Sequence, residues 1–163
     1  DSLPAIAIGM EPARRGLLNR APRDPKQPIL NRALLCNIGW QGLLIAVVTM
    51  AAFYLGYQQH DAALASTMAF STLTLARLFH GFNCRGEASI FRLKFSTNPY
   101  SNLAFAAGAL LLLAVLFVPG LKQLFLVSPQ FGISQLGIIT ALAVVPTLII
   151  QTIKLIAEKR QSA

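Results

Sequence analysis

Charge is scarce in this sequence, and acid is scarcer still. Only 12% of its 163 residues are Asp, Glu, Lys or Arg, with six acidic against fourteen basic. A soluble domain needs more polar surface than that. Cysteine is nearly absent: Cys36 and Cys84 lie in unrelated segments, outside any CxxC or Cys/His cluster. That argues for two free thiols and against a metal site built on them. Zinc-finger spacing, an aromatic RNA-binding motif and a basic recognition helix are all missing, so the net charge of +8 does not point to nucleic acid. There is no initiator Met, and no charged n-region, apolar h-region and cleavage site in succession. The sequence reads as a piece of a longer chain. It has no internal repeat or low-complexity stretch.

What is abundant is apolar. Hydrophobic residues make up 55% of the chain, the mean hydropathy is +0.58, and the apolar residues fall in long blocks. A helix needs roughly 20 apolar residues to cross a bilayer. The pattern predicts an all-α membrane protein: one truncated helix, then four transmembrane helices in two hairpins. Residues 1–10 form the end of a helix too short to span. Residues 11–32 carry Pro12, Pro22, Pro25 and Pro28, which forbid a continuous helix. They also carry six cations, Arg14, Arg15, Arg20, Arg23, Lys26 and Arg32, and read as a basic loop outside the lipid.

The four spans are expected at 33–57, 62–83, 101–118 and 133–153, with Pro146 inside the last. Trp40, Tyr54 and Tyr57 lie toward the ends of the first, as interfacial aromatics do. Gly39 and Gly42 either admit a neighbouring helix closely or are ordinary tolerated glycines. Residues 58–61, "QQHD", read as a solvated turn. Cations concentrate in 11–32, in the connector 84–100 and in the tail 154–163, whereas 58–61 and 119–132 hold Lys122 alone. The two groups alternate, so the positive-inside rule assigns the first three to the cytoplasm.

The stretch "DSLPAIAIGMEP", followed closely by "RAPRDPKQPILNR", resembles the end of the sixth membrane helix and the following loop of P-type cation ATPases of the calcium-pump subgroup. The matching residues are Asp1, Leu3-Pro4-Ala5, Gly9 and Pro22-Arg23-Asp24-Pro25-Lys26-Gln27-Pro28. The resemblance is strong over 1–32, fair over 33–83, and beyond that one of topology. It implies the C-terminal part, from the end of helix six to helix ten, of a much larger enzyme, whose missing N-terminal part holds the phosphorylated Asp, the ATP and Mg²⁺ sites and the earlier membrane helices. The segment alone is then expected to be catalytically inactive. Its partners are that missing part and membrane lipid, in the cell membrane, by its short loops that of a bacterium.

By the resemblance, Asp1 is a carboxylate that coordinates the transported Ca²⁺. A hard cation wants about six to eight oxygens, and a membrane carboxylate is costly without such a partner. In the segment alone, Asp1 also reads simply as a solvated terminal residue. The resemblance further implies that the basic loop touches the phosphorylation domain and couples ATP to ion movement, through Arg23 and Lys26. As bare chemistry the same cations bind anionic lipid.

Arg77 lies within "STMAFSTLTLARLFHGF", six residues before Asn83. At about 100° per residue, Thr67, Ser71, Thr74, Arg77 and Gly81 trace a polar stripe expected to face protein. A central arginine costs about 2.5–3.5 kcal/mol on insertion scales, and less near a helix end. One reading has it snorkel to the headgroups. The resemblance supplies the other: Arg77 stands where some members carry a cation-binding Glu, so its fixed charge replaces an ion near Asp1. That implies one Ca²⁺ moved per ATP, with protons moving back. The rivals are a pump for Mn²⁺ or Na⁺, a free-standing four-helix membrane scaffold, and an oligomeric channel or exchanger.

Overall fold

The computed structural model describes residues 2–11, 30–86 and 97–161. Among these the regular structure is helical, in six elements: α1 (Ser2–Gly9), α2 (Arg32–Tyr57), α3 (Ala62–Cys84), α4 (Pro99–Phe117), α5 (Pro119–Leu124) and α6 (Ile133–Gln161). Helices α2, α3, α4 and α6 are long and apolar enough to cross a membrane, and the chain is a multi-pass membrane protein.

Each of the first three long helices begins where a polar side chain can satisfy its first amides, which have no partner within the helix. The Oδ1 of Asn31 accepts from the Leu34 amide at 2.7 Å, and that of Asp61 from the Ala63 and Leu64 amides at 2.8 and 3.0 Å. Asn98 caps α4 through the Ser101 amide at 3.0 Å, with Pro99 at the first helical turn. Lipid offers no hydrogen bonds, and several hydroxyls inside the spans turn back on their own helix. Thr49, Ser71, Thr74, Thr140 and Thr152 each donate to the carbonyl four residues earlier.

Helix α3 is the hub. It packs on α2, α6, α4 and α1, and it is the most buried of the four spans. The core consists of Leu64, Met68, Leu75 and Ala76 of α3, with Ile45 and Ala52 of α2, Leu112 and Leu116 of α4, and Ile139 and Ala143 of α6. Helices α4 and α6 are the last two spans of the chain, yet both lean on α3.

Two stretches outside the expected spans are helical. Pro119 starts α5 inside the expected loop, since its fixed φ suits a first helical turn. Helix α6 runs to Gln161, well past residue 153, because "KLIAEKRQ" is built mainly of good helix formers. Gly39 and Gly42 meet nothing within 4 Å where a Cβ would stand. The close approach is instead at Gly56, whose Cβ would fall 2.6 Å from the Ala65 Cα.

Candidate functional site

Of the residues the sequence singles out, Asp1, Arg23 and Lys26 lie outside the described residues. Arg77 is described. It is exposed on α3, in a row with Ser66, Phe70 and Leu73 that the described helices leave uncovered. The expected polar stripe is therefore divided. Thr67 and Ser71 are buried, with Thr67 accepting from the Ser128 amide at 3.1 Å, while Arg77 lies round the helix on the open side.

Helix α1 docks beside this open row. Its direction relative to α3 follows from two contacts. Ile8 Cδ1 is 3.9 Å from the position of a Cβ on Gly81, and one turn further on Glu11 pairs with Arg85. Both numbers rise together, so α1 and α3 run parallel. Pro4 and Ile8 line a small cavity with Leu78, Gly81, Phe82, Ser101 and Phe105. The N-terminal turn of α1 is thus level with the turn of α3 that carries Arg77.

The Glu11 end of α1 is held by a three-way polar clamp. Arg85, which caps the C-terminus of α3, donates from Nε and Nη2 to the two carboxylate oxygens of Glu11, each at 3.0 Å. This is the bidentate fork that makes an arginine–carboxylate pair specific in geometry. Asn98 donates to Glu11 Oε2 at 2.9 Å and to the Ala7 carbonyl at 2.8 Å, while its own oxygen caps α4. One asparagine so ties α4 to the last turn of α1. The Arg85 side chain is 1% exposed and that of Glu11 17%. The hydrogen bonds from Arg85 are the main reason the Glu11 carboxyl titrates below the usual range; burial opposes this, and Asn98 and the Arg85 charge assist.

At the same end, Asn83 joins α3 to α6. It donates to Thr147 Oγ1 at 3.3 Å and accepts from Gln151 Nε2 at 2.6 Å. Lys154 Nζ donates to the carbonyls of Asn83 and Gly86 at 2.7 and 2.6 Å, a cation satisfying orphan carbonyls at a helix C-terminus. At the opposite end the turn read as solvated is locked. Ser128 Oγ donates to Asp61 Oδ2 at 2.6 Å, and chiefly for that reason the Asp61 carboxyl is held below its ordinary value.

Among the described residues no group of three or more His, Cys, Asp and Glu could hold a metal ion. Sequence reasoning passed over Glu11, Arg85, Asn98, Asn83, Gln151 and Lys154. Only Asn98 carries a local signal, an Asn-Pro pair at the start of an apolar run.

The chain is similar to known proteins over nearly its whole length. The family described as "Cation transporting ATPase, C-terminus" matches residues 1–156. A calcium-transporting ATPase of Bacillus subtilis is 40% identical over 131 residues, covering 77% of this chain and 14% of the relative. A calcium-transporting ATPase of Listeria monocytogenes is 32% identical over 164 residues, covering 98% and 18%. A rat calcium-transporting ATPase type 2C member 2 is 32% identical over 128 residues, covering 77% and 14%. The chain spans under a fifth of the length of these curated relatives.

Proposed function

The chain belongs to the family of cation transporting ATPase C-terminal segments, and from that premise we propose that it is the last membrane part of an ATP-driven Ca²⁺ pump. In this reading α1 is the end of the helix that carries the ion-binding carboxylate Asp1, and α2, α3, α4 and α6 complete the membrane domain. ATP and Mg²⁺ are handled by parts of the pump outside this segment. The names of the relatives favour Ca²⁺ over Mn²⁺ or Na⁺ as the cargo. The bacterial relatives favour a bacterial cell membrane, with the Glu11–Arg85 end of the bundle toward the cytoplasm.

One observation supports the ion-path role of Arg77 most directly: α1 lies parallel to α3 with its first turns level with residues 77–78. A guanidinium there is a fixed positive charge that cannot coordinate a cation. It takes the place of a second ion, so the pump moves one Ca²⁺ per ATP and returns protons. Arg23 and Lys26 belong to the loop that couples the membrane helices to the phosphorylation domain.

The test is Arg77→Glu in the whole pump, reconstituted in sealed vesicles. The Ca²⁺ moved per ATP should rise and the pH dependence of transport should change. If both stay as in the wild type, Arg77 is not an ion-site charge.

A further inference from the structure

Helix α1 is poorly anchored by apolar contact. Ala7 is 5% exposed, but Ile6 is 63% and Met10 50% exposed. Against the described helices α1 buries one apolar side chain well, and so little apolar area at about 25 cal/mol per Å². What holds it is polar: the bidentate Arg85–Glu11 pair and the two hydrogen bonds from Asn98, one to Glu11 and one to the Ala7 carbonyl.

The clamp is built to stay closed. Arg85 is 1% exposed, and separating it from Glu11 would leave a buried guanidinium without its counter-ion, which is strongly unfavourable. Asn98 is also 1% exposed and uses its carbonyl to cap α4, so it cannot turn away from α1 without uncapping α4. Three helix ends that meet on such groups behave as one body. The last turn of α1 is thereby fixed in height against α3, and α1 reaches the Arg77 level only one to two turns further on, through Ile8 and Pro4.

We infer that Arg85 and Asn98 are positioning residues for ion binding: they set the register of α1, the helix that follows Asp1 in sequence, against the Arg77 turn of α3. This inference rests on the pump reading. Neither residue touches the ion. They act through Glu11 and the Ala7 carbonyl.

The experiment uses the full-length pump in vesicles of phosphatidylcholine and phosphatidylglycerol, measuring ATP hydrolysis against free Ca²⁺. Arg85→Met should raise the Ca²⁺ concentration for half-maximal activity about tenfold, equivalent to about 1.4 kcal/mol. The rate at saturating Ca²⁺ and the half-saturating ATP concentration should stay near wild type. Arg85→Lys keeps the charge but not the fork and should fall between. Asn98→Ser keeps a good helix cap but cannot bridge to Ala7, and it should weaken Ca²⁺ in the same direction, which keeps the inference testable if Arg85→Met does not fold. Folded variants with wild-type Ca²⁺ half-saturation overturn the positioning role alone. So do variants whose Ca²⁺ and ATP responses fall together with thermal stability, since that is a structural defect only. A wild-type pump indifferent to Ca²⁺ overturns the pump reading and the positioning role with it.

Discussion

Gly56 of α2 faces the backbone of α3 so closely that a Cβ on it would stand 2.6 Å from the Cα and 2.8 Å from the amide nitrogen of Ala65. Backbone atoms cannot turn aside as a side chain can. Gly56→Ala should therefore force α2 and α3 apart at their shared turn and destabilise the protein by about 1–3 kcal/mol, the usual scale of overpacking. The check is thermal unfolding of the detergent-solubilised protein. Gly42→Ala, with nothing within 4 Å, should be neutral or gain up to about 1 kcal/mol of helix propensity.

Asp61 makes the opposite end of the bundle sensitive to acid. Its carboxyl titrates below the ordinary Asp value, mainly because the Ser128 hydroxyl donates to it. The folded state therefore favours the charged form. Its contribution is whole above the usual Asp pKa of about 3.9, and is lost as pH falls through the lower folded value. Asp61→Asn should unfold at a lower temperature than wild type at pH 7, and the gap should close as the pH drops below about 4. A gap that is constant with pH would mean that the charge plays no part.

Asn83, Gln151 and Lys154 make a buried network between α3 and α6. Asn83 and Gln151 are 5% and 6% exposed. Gln151→Leu leaves the Asn83 oxygen without its 2.6 Å donor, and an orphaned buried acceptor costs about 1–3 kcal/mol. Lys154→Met strips two carbonyls at the α3 C-terminus. The two losses should not add, because both substitutions act on Asn83, and a double-mutant cycle on thermal unfolding would show the coupling.

Much of the architecture was legible in the sequence because lipid imposes one simple demand: a run of about 20 apolar residues with every backbone group satisfied within the helix. All four spans answer to it. The short helix α5 and the extension of α6 did not show, since both lie where polarity suggests loop or tail. The polar stripe from Thr67 to Arg77 is divided among the described helices. At about 100° per residue, Ser71 and Arg77 differ by about 120° around the helix, enough to bury the first and expose the second on a helix surrounded on several sides. The clamps were illegible for another reason. Glu11 meets Arg85 across 74 residues, and Asn83 meets Gln151 across 68. Such partners are fixed by the register between helices and leave no local pattern.

The central claim is that this segment completes a pump that uses ATP to move Ca²⁺ singly. The most direct measurement is Ca²⁺ uptake and ATP hydrolysis recorded together, with the purified full-length protein in sealed vesicles. The account predicts hydrolysis that requires Ca²⁺, a ratio of one Ca²⁺ per ATP, and proton movement in the opposite direction. Hydrolysis that ignores Ca²⁺, or a ratio of two, would contradict it.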